Sequence, residues 1–359
     1  MEEQRILAIN PGSTSTKIAV YQGSKNIFLK NIKHTAEELK PFKRIVDQFH
    51  FRKDIILKEL KEAEIQIELI TAIVGRGGLV KPIESGVYEV NDAMINDLHE
   101  SKLGEHASNL GGLIAHDMVL SLKNGARAFI ADPVVVDEME DVARYTGHPK
   151  FVRHSIFHAL NQKAIARKYA KSVDRPYEEL NLIVAHLGGG ISVGAHRKGR
   201  VIDVNNALDG DGPFSPERTG TLPCGQVAAL CFSGEYTHEQ VKKMIKGEGG
   251  FVAYLGTNDA YEVEMRVKDG DVEAKKVHDA IAYQLGREVG SLSAVLKGQV
   301  DAIIFTGGMA YDKILIDYIK EMVSFIAPVV VYPGEDEMEA LAMNGYMVMK
   351  GEVEPKIYK

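Results

Sequence analysis

Asn10 and His186 stand at matching points of two similar stretches that lie half a chain apart. The first reads Ile6-Leu-Ala-Ile-Asn10-Pro-Gly12-Ser13-Thr14-Ser15-Thr-Lys17 and continues as Ile-Ala-Val-Tyr21. The second reads Leu182-Ile-Val-Ala-His186-Leu187-Gly188-Gly189-Gly190-Ile-Ser192-Val-Gly-Ala-His196. In each, an apolar strand enters a turn of small residues and a second strand returns, as in a β-hairpin. Aligning Asn10 with His186 gives an offset of 176 residues (186 − 10), close to half of the 359-residue chain. A single hairpin of this kind is ordinary. Two at this spacing indicate a duplicated domain. Turns of Gly, Ser and Thr offer backbone N–H groups and hydroxyls to an anion, and the tail of ATP is such an anion.

Other residues could complete phosphoryl-transfer chemistry, which needs phosphate grips, a metal anchor and cations near the migrating group. The amide oxygen of Asn10 suits a hydrated Mg²⁺, although Asn at a strand end also serves as a turn residue. Lys17, on the returning strand, reaches either phosphate or solvent. Arg76 lies between Gly75 and Gly77, which let backbone approach closely and favour an anion contact. Asp132 ends an apolar strand before Pro133, a position that fits a site carboxylate or a turn opening. His158 opens a helix in the apolar run Ile156-Phe-His158-Ala, where a core role is equally open. His186, beside its glycine turn, points more strongly to function. Arg218 sits in a loop rich in Gly, Pro and Asp, a common place for cations that touch substrate.

Absent motifs narrow the field. No G-x-x-x-x-G-K-[ST] occurs, and Gly188-Gly-Gly190 lacks the spacing that opens a Rossmann helix. Neither H-E-x-x-H nor C-x-x-C is present, and the G-x-S-x-G match Gly190-Ile-Ser192-Val-Gly194 runs into a returning strand rather than the strand-to-helix elbow of a serine hydrolase. P-loop nucleotidase, dehydrogenase, zinc hydrolase and serine hydrolase are therefore disfavoured. The net charge of −7 argues against nucleic acid as a partner. Cys224 and Cys231 form neither a disulfide framework nor a zinc site, which suits a reducing cytoplasm. No apolar run approaches about 18 residues, and no signal-peptide pattern follows the N-terminus, so a cytoplasmic protein with no membrane partner is expected.

The elements that must carry these residues alternate between strand and helix, which indicates mixed or parallel sheet in an α/β fold. The first half reads as strands near 5–10, 16–21 and 26–32, a helical stretch 35–63, strand 69–74 ending in Gly75-Arg76-Gly77-Gly78, helix 107–124 and strand 126–131. The second half reads as helix 157–171, strands 181–186, 191–196 and 200–204, and helices 224–232 and 237–246. A long helix at 271–297 follows, with Val277, Ile281, Leu285, Val289, Leu292 and Leu296 on one face. Strand 300–305 then ends in Thr306-Gly307-Gly308 and mirrors 69–74. Helix 311–326, strand 329–332 and a last helix opening at Pro333-Gly-Glu-Asp336-Glu337 complete the chain. At 359 residues, two domains are expected, since domains usually run about 100–200 residues. They divide as 1–152 and 153–337, with a helix at about 338–359 returning to pack on the first, and with a ligand cleft where the halves meet.

Taken in order, Asn10-Pro-Gly-Ser-Thr-Ser-Thr-Lys17, Asp132-Pro, Ile156-Phe-His158, His186-Leu-Gly-Gly-Gly190, Phe305-Thr-Gly-Gly308 and Glu335-Asp-Glu337 resemble the acetate and butyrate kinase family over essentially the whole chain. Gly75-Arg76-Gly-Gly78-Leu, the loop Gly212–Pro223 and Tyr332-Pro-Gly-Glu-Asp-Glu337 are most similar to the butyrate kinases. The resemblance implies two duplicated actin-like (ribonuclease H-like) domains with a nucleotide cleft between them. It implies transfer of the ATP γ-phosphoryl group to a short-chain fatty acid, butyrate first and acetate, propionate or isobutyrate as alternatives. Homo-oligomers, dimers or larger, are also implied.

The resemblance also implies roles. Asn10 with Asp336 or Glu337 would hold Mg²⁺, Asp132 would lie near nucleophile and metal, and His158 would contact the transferring group. Gly12 to Ser15, Lys17 and His186 to Gly190 would line the phosphates. Asp259, Ala260 and Tyr261, with Gly307, Gly308, Met309 and Ala310, would border the adenosine. The chain departs from acetate kinases at three places. Ile73 stands where they have a strand arginine, and Arg76 where they have a histidine. Leu222 follows Gly220-Thr221 where they have another arginine, and Tyr261 replaces a third. The catalytic cation roles are therefore carried to Arg76 and Arg218. Two other classes share the architecture: a sugar or polyol kinase, with Asp132 as general base, and a nucleotide-driven binding or filament protein.

Overall fold

The computed structural model describes residues 4–359. The described residues hold twelve strands: β1 (Arg5–Pro11), β2 (Ser15–Gln22), β3 (Lys25–Lys33), β4 (Ala72–Arg76), β5 (Val87–Glu89), β6 (Arg127–Ala131), β7 (Asn181–Leu187), β8 (Ile191–Arg197), β9 (Arg200–Val204), β10 (Ala302–Gly307), β11 (Val329–Pro333) and β12 (Lys356–Ile357). The helices that position the site are α1 (Phe49–Glu62), α2 (Asn109–Leu122), α3 (Ala159–Ser172), α4 (Val272–Val295), α5 (Lys313–Val323) and α6 (Glu337–Met349). The chain forms two compact units. One comprises the chain up to Val136 together with Asp336–Lys359, and the other is Asp137–Glu335.

Each unit is built on a mixed sheet with the same core order. The first sheet runs β12-β5-β6-β4-β1-β2-β3 and the second β11-β10-β7-β8-β9. In both, a hairpin strand pairs antiparallel with its return strand and parallel with a strand from far along the chain. Ile6 lies beside Ala72 in one sheet and Leu182 beside Ala302 in the other. A second parallel strand then adds outside, β6 on β4 and β11 on β10. This repetition is the duplicated α/β architecture of actin-like proteins. The central strands are apolar at nearly every position because helices cover both faces. β1 and β7 are buried from their second residue to their last.

In the first unit, side chains alternate between two helices. Val74 and Ile6 meet α6, where a Cβ on Gly345 would come within 2.5 Å of Val74. Gly75 faces the other way, onto α2. A Cβ on Gly75 would lie 2.3 Å from the Gly111 carbonyl, and one on Gly111 would lie 2.4 Å from the Arg76 carbonyl. These two glycines bring the helix backbone onto the strand end that carries Arg76. In the second unit, Ile183, Ala185, Ile303 and Phe305 pack under α4 and α5. Leu182, Val184, Ala302 and Ile304 face α3. The apolar stripe of α4 is as its period predicts, with Ile281, Leu285, Val289, Leu292 and Leu296 in the core and Val277 at its margin.

The structure revises several expected elements. The helical stretch 35–63 is broken into Ala36–Leu39, a 3₁₀ turn Val46–Gln48 and α1. Pro41 has no N–H to continue the first piece. The strand expected at 69–74 starts at Ala72, because Ile67–Leu69 form a 3₁₀ turn. Arg76 is therefore the last residue of a strand rather than part of the turn beyond it. Helices Asp92–Glu100, Gly250–Leu255 and Ala260–Lys268 and strand β5 were not expected from the sequence.

Two glycines test this packing in opposite directions. Gly111→Val forces a side chain into backbone and should lower stability by about 1–3 kcal/mol or more in urea denaturation. Gly290 lies within α4 with open space where a Cβ would go, so Gly290→Ala should raise stability by about 0.5–1 kcal/mol.

Candidate active site

In the first unit, three parallel strands end side by side with a polar residue each. Asn10 is the last residue but one of β1, Arg76 closes β4 and Asp132 follows β6. The carboxyl ends of adjacent strands are where open α/β sheets place ligands. Asn10 donates from Nδ2 to Glu337 Oε2 at 2.5 Å, at the first residue of α6. Arg76 Nη1 donates to Asn10 Oδ1 and to Glu337 Oε2, each at 3.3 Å, and its Nη2 lies 3.3 Å from Glu337 Oε1. Asn10, Arg76 and Glu337 thus form one cluster. Lys17 is exposed and sits opposite Asn10 in the hairpin register, so the two side chains share a face. Asp336 is exposed beside the cluster.

Asp132 is buried and has φ of +37°, a left-handed conformation that Asp tolerates better than most residues. It is fixed there on both sides. Its Oδ1 accepts from Ser85 Oγ at 2.6 Å and from the Gly86 N–H at 2.8 Å. Its own N–H donates to the Gly86 carbonyl at 3.1 Å.

The first small-residue turn is held from beneath by a residue the sequence reading did not single out. Arg52, on α1, is fully buried. Its guanidinium donates to the carbonyls of Gly12 (2.8 Å), Ser13 (3.1 Å) and Ser15 (3.0 Å), to Thr16 Oγ1 (3.0 Å) and to Gln48 Oε1. None of these partners carries a charge. Burial pushes the pKa of Arg52 down to about 10, so it stays charged at neutral pH. A trans peptide directs its C=O and the following N–H to opposite sides. With the Gly12 and Ser13 carbonyls turned in to Arg52, the N–H groups of Ser13 and Thr14 face away from it, on exposed residues. The turn presents these amides outward because a buried cation collects its carbonyls.

The second unit repeats this scheme with different chemistry. His186 is the last residue but one of β7 and is buried, with Nε2 3.1 Å from Glu335 Oε1 and Nδ1 2.9 Å from Asn161 Oδ1. The His158 ring stacks on it at 3.9 Å between centroids, with 16° between planes. The turn Gly188–Gly190 begins directly after Leu187. A Cβ on Gly190 would overlap Arg218 Nη1, so the guanidinium occupies the space a side chain would fill. Arg218 donates to the Ala207 carbonyl at 2.7 Å, and Ser215 Oγ ties the same loop to the Gly189 carbonyl at 2.6 Å. Burial lowers the pKa of Arg218, although less than would discharge a guanidinium. His158, His186, Gly190 and Arg218 therefore lie around one turn.

The residues assigned to the adenosine separate into two kinds. Gly307 has φ of +93°, and a Cβ there would lie 2.3 Å from the Leu187 carbonyl, so only glycine lets β10 end against β7. Gly308 is exposed, while the side chains of Met309 and Ala310 belong to the core and leave only backbone for a ligand. Asp259 caps helix Ala260–Lys268 by accepting from the N–H groups of Tyr261 (2.9 Å) and Glu262 (3.3 Å). Tyr261 is exposed. Ile73, at the position of the strand arginine in acetate kinases, is fully buried among apolar neighbours, so no cation stands there.

Oxygen donors suited to Mg²⁺ are present in Asn10 and Glu337, since that ion takes one or two carboxylates together with waters and substrate phosphates. Among the described residues no group of three or more His, Cys, Asp and Glu could hold a metal without such help. Nor is any helix of the described residues long and apolar enough to cross a membrane.

Comparison with known proteins supplies the family. Residues 143–320 match the Acetokinase family. A curated relative, butyrate kinase 2 of Clostridium acetobutylicum, is 56% identical over 355 residues and covers 99% of each chain. Among solved structures, the acetate kinase of Porphyromonas gingivalis superposes with a TM-score of 0.79 at 18% identity, covering 96% of this chain and 100% of that one. A propionate kinase from Francisella tularensis subsp. tularensis SCHU S4 gives 0.75 at 17% identity, covering 95% and 98%. At those identities the structures speak for the fold, and the near-complete alignment with the curated relative speaks for descent: the chain belongs to the Acetokinase family.

Proposed function

We propose that this chain is an ATP-dependent carboxylate kinase that forms the acyl phosphate of a short-chain fatty acid, with butyrate as the preferred acceptor. The observation that carries this reading is the 56% identity, over 99% of both chains, to a protein named butyrate kinase 2. The clusters around Asn10 and His186 supply the groups such a reaction uses.

The acceptor is a carboxylate already ionised at neutral pH, since its pKa is near 4. No base has to remove a proton. A carboxylate oxygen forms the new bond to the γ-phosphorus, the bond from that phosphorus to the bridging oxygen breaks with its electron pair, and ADP leaves. The obstacle is repulsion between two anions. Fixed cations and N–H donors that follow charge onto the equatorial oxygens lower that barrier. Arg76 and Arg218 are the cations assigned to carboxylate and phosphoryl group, and His158 is the donor to a phosphoryl oxygen. Turn amides of Ser13 and Thr14, Lys17 and the Gly188–Gly190 turn grip the phosphates. Asn10 and Glu337, with Asp336 beside them, would hold Mg²⁺, which when bound neutralises phosphate charge. Exposed Gly308, set in place by the tight end of β10 at Gly307, would border the nucleoside. A hydroxyl acceptor would need a base such as Asp132, whereas a carboxylate acceptor needs none.

A panel of C2 to C5 acids with ATP and hydroxylamine should give hydroxamates, most rapidly from butyrate. Acetate as the best substrate would overturn the butyrate assignment, and no hydroxamate from any acid would overturn acyl transfer. Arg76→Ala and Arg218→Ala should each lower kcat by roughly 10²–10³; near wild-type turnover in both would remove them from the mechanism. Arg52→Met leaves the turn carbonyls without their charged donor, an interaction worth about 1.5–3 kcal/mol per bond. Calorimetry should show nucleotide uptake weakened about tenfold or more, and an unchanged Kd would mean that the turn keeps its shape unaided.

A further inference from the structure

The hydrogen bonds around His158 leave its ring one neutral tautomer. Ser192, on β8, is fully buried. Its hydroxyl oxygen receives an N–H from Gln162 Nε2 at 2.9 Å and, at 3.4 Å, the backbone N–H of His158. A hydroxyl has two lone pairs and one hydrogen. Both lone pairs are engaged by groups that can only donate, so the hydrogen goes to the remaining neighbour, His158 Nδ1 at 2.9 Å. Nδ1 accepts, and the ring proton sits on Nε2.

The orientation of Gln162 is itself fixed. The same Nε2 donates to the Ser192 carbonyl at 3.0 Å, and a carbonyl can only accept. Oε1 therefore points the other way and accepts from His196 Nε2 at 2.9 Å. Burial holds His196 well below its ordinary pKa, so it is neutral, and its Nδ1 accepts from the Tyr177 hydroxyl at 2.7 Å. The chain Tyr177, His196, Gln162, Ser192, His158 thus runs in one direction. β8 makes room for it: a Cβ on Gly194 would lie 2.6 Å from Gln162 Oε1.

We propose that Gln162 and Ser192 are positioning residues that fix His158 as the neutral Nε2–H tautomer, so that Nε2 is a standing hydrogen-bond donor. The functional half of this proposal rests on the reading above, in which His158 serves the transferring phosphoryl group. The structural half does not. Without the lock, a neutral imidazole would divide between two tautomers, one of which presents a lone pair to an already anionic phosphoryl oxygen.

Nitrogen-15 spectra of the whole protein, with His158 assigned by its loss in His158→Gln, test the ring directly. The expected signals are pyrrole-type at Nε2 and pyridine-type at Nδ1. The reverse pattern or an averaged pair overturns the proposal. In Ser192→Ala and in Gln162→Glu the pattern should become averaged. There kcat should fall roughly tenfold or more, a part of the 10²–10³ that loss of a transition-state donor removes, while KM for ATP changes little. Folded variants with an unaltered tautomer or unaltered kcat overturn the positioning role. If neither variant folds, the wild-type spectrum still decides the tautomer. Failure of the wild type to give any hydroxamate would retire the acyl-kinase reading while leaving the ring assignment intact.

Discussion

The pairing of each hairpin with a parallel strand from far along the chain determines where everything else can stand. β1 beside β4, and β7 beside β10, bring residues some seventy and a hundred and twenty positions apart into register. Once those strands align, their carboxyl ends must emerge together, and so must the residues near those ends. Asn10 and Arg76 meet in one unit for this reason, and His186 and Gly307 in the other. The approach is tight enough that side chains would block it. Gly75 and Gly111 admit a helix to the first sheet, and Gly307 admits one strand end to another. The site is a by-product of strand register, refined by places where no Cβ exists.

Charge is handled differently in the two units. Around Asn10, one carboxylate and one guanidinium lie within 3.3 Å of each other and share an amide, so the cluster holds opposite charges that an incoming anion and its counter-ion could rearrange. Around His186, two imidazoles stack, one facing a carboxylate, and an arginine fills the volume beside Gly190. Where these groups are buried, the surrounding medium screens little. Small changes in one partner are therefore felt by the others.

Much of this was legible in the sequence, for identifiable reasons. The hairpins, the strands ending in Gly-Gly and the stripe on α4 follow from hydrophobic period and glycine placement, both local properties. Arg76 and Arg218 could be picked out because glycines flank one and turn residues surround the other. Arg52 could not. It lies in a charged helical stretch, Phe49-His-Phe-Arg52-Lys-Asp, and nothing local tells a buried arginine from a solvated one. Its partners are backbone carbonyls some forty residues earlier, and carbonyls leave no trace in a sequence. Ser85 and Gln162 are hidden in the same way, since their importance lies in a distant neighbour. The break at Pro41 was readable from proline chemistry, whereas the shift of β4 by some residues depended on a 3₁₀ turn with no strong sequence mark.

The seclusion of Arg52 has an electrical corollary. Dissolved ions gather around exposed charges and blunt their reach within about 8–10 Å at ordinary salt. No such atmosphere can form around a guanidinium with no accessible surface and no carboxylate among its partners. Inside the protein its field is therefore screened less than that of a surface lysine such as Lys17, and the carbonyls it gathers feel that field at short range whatever the salt outside.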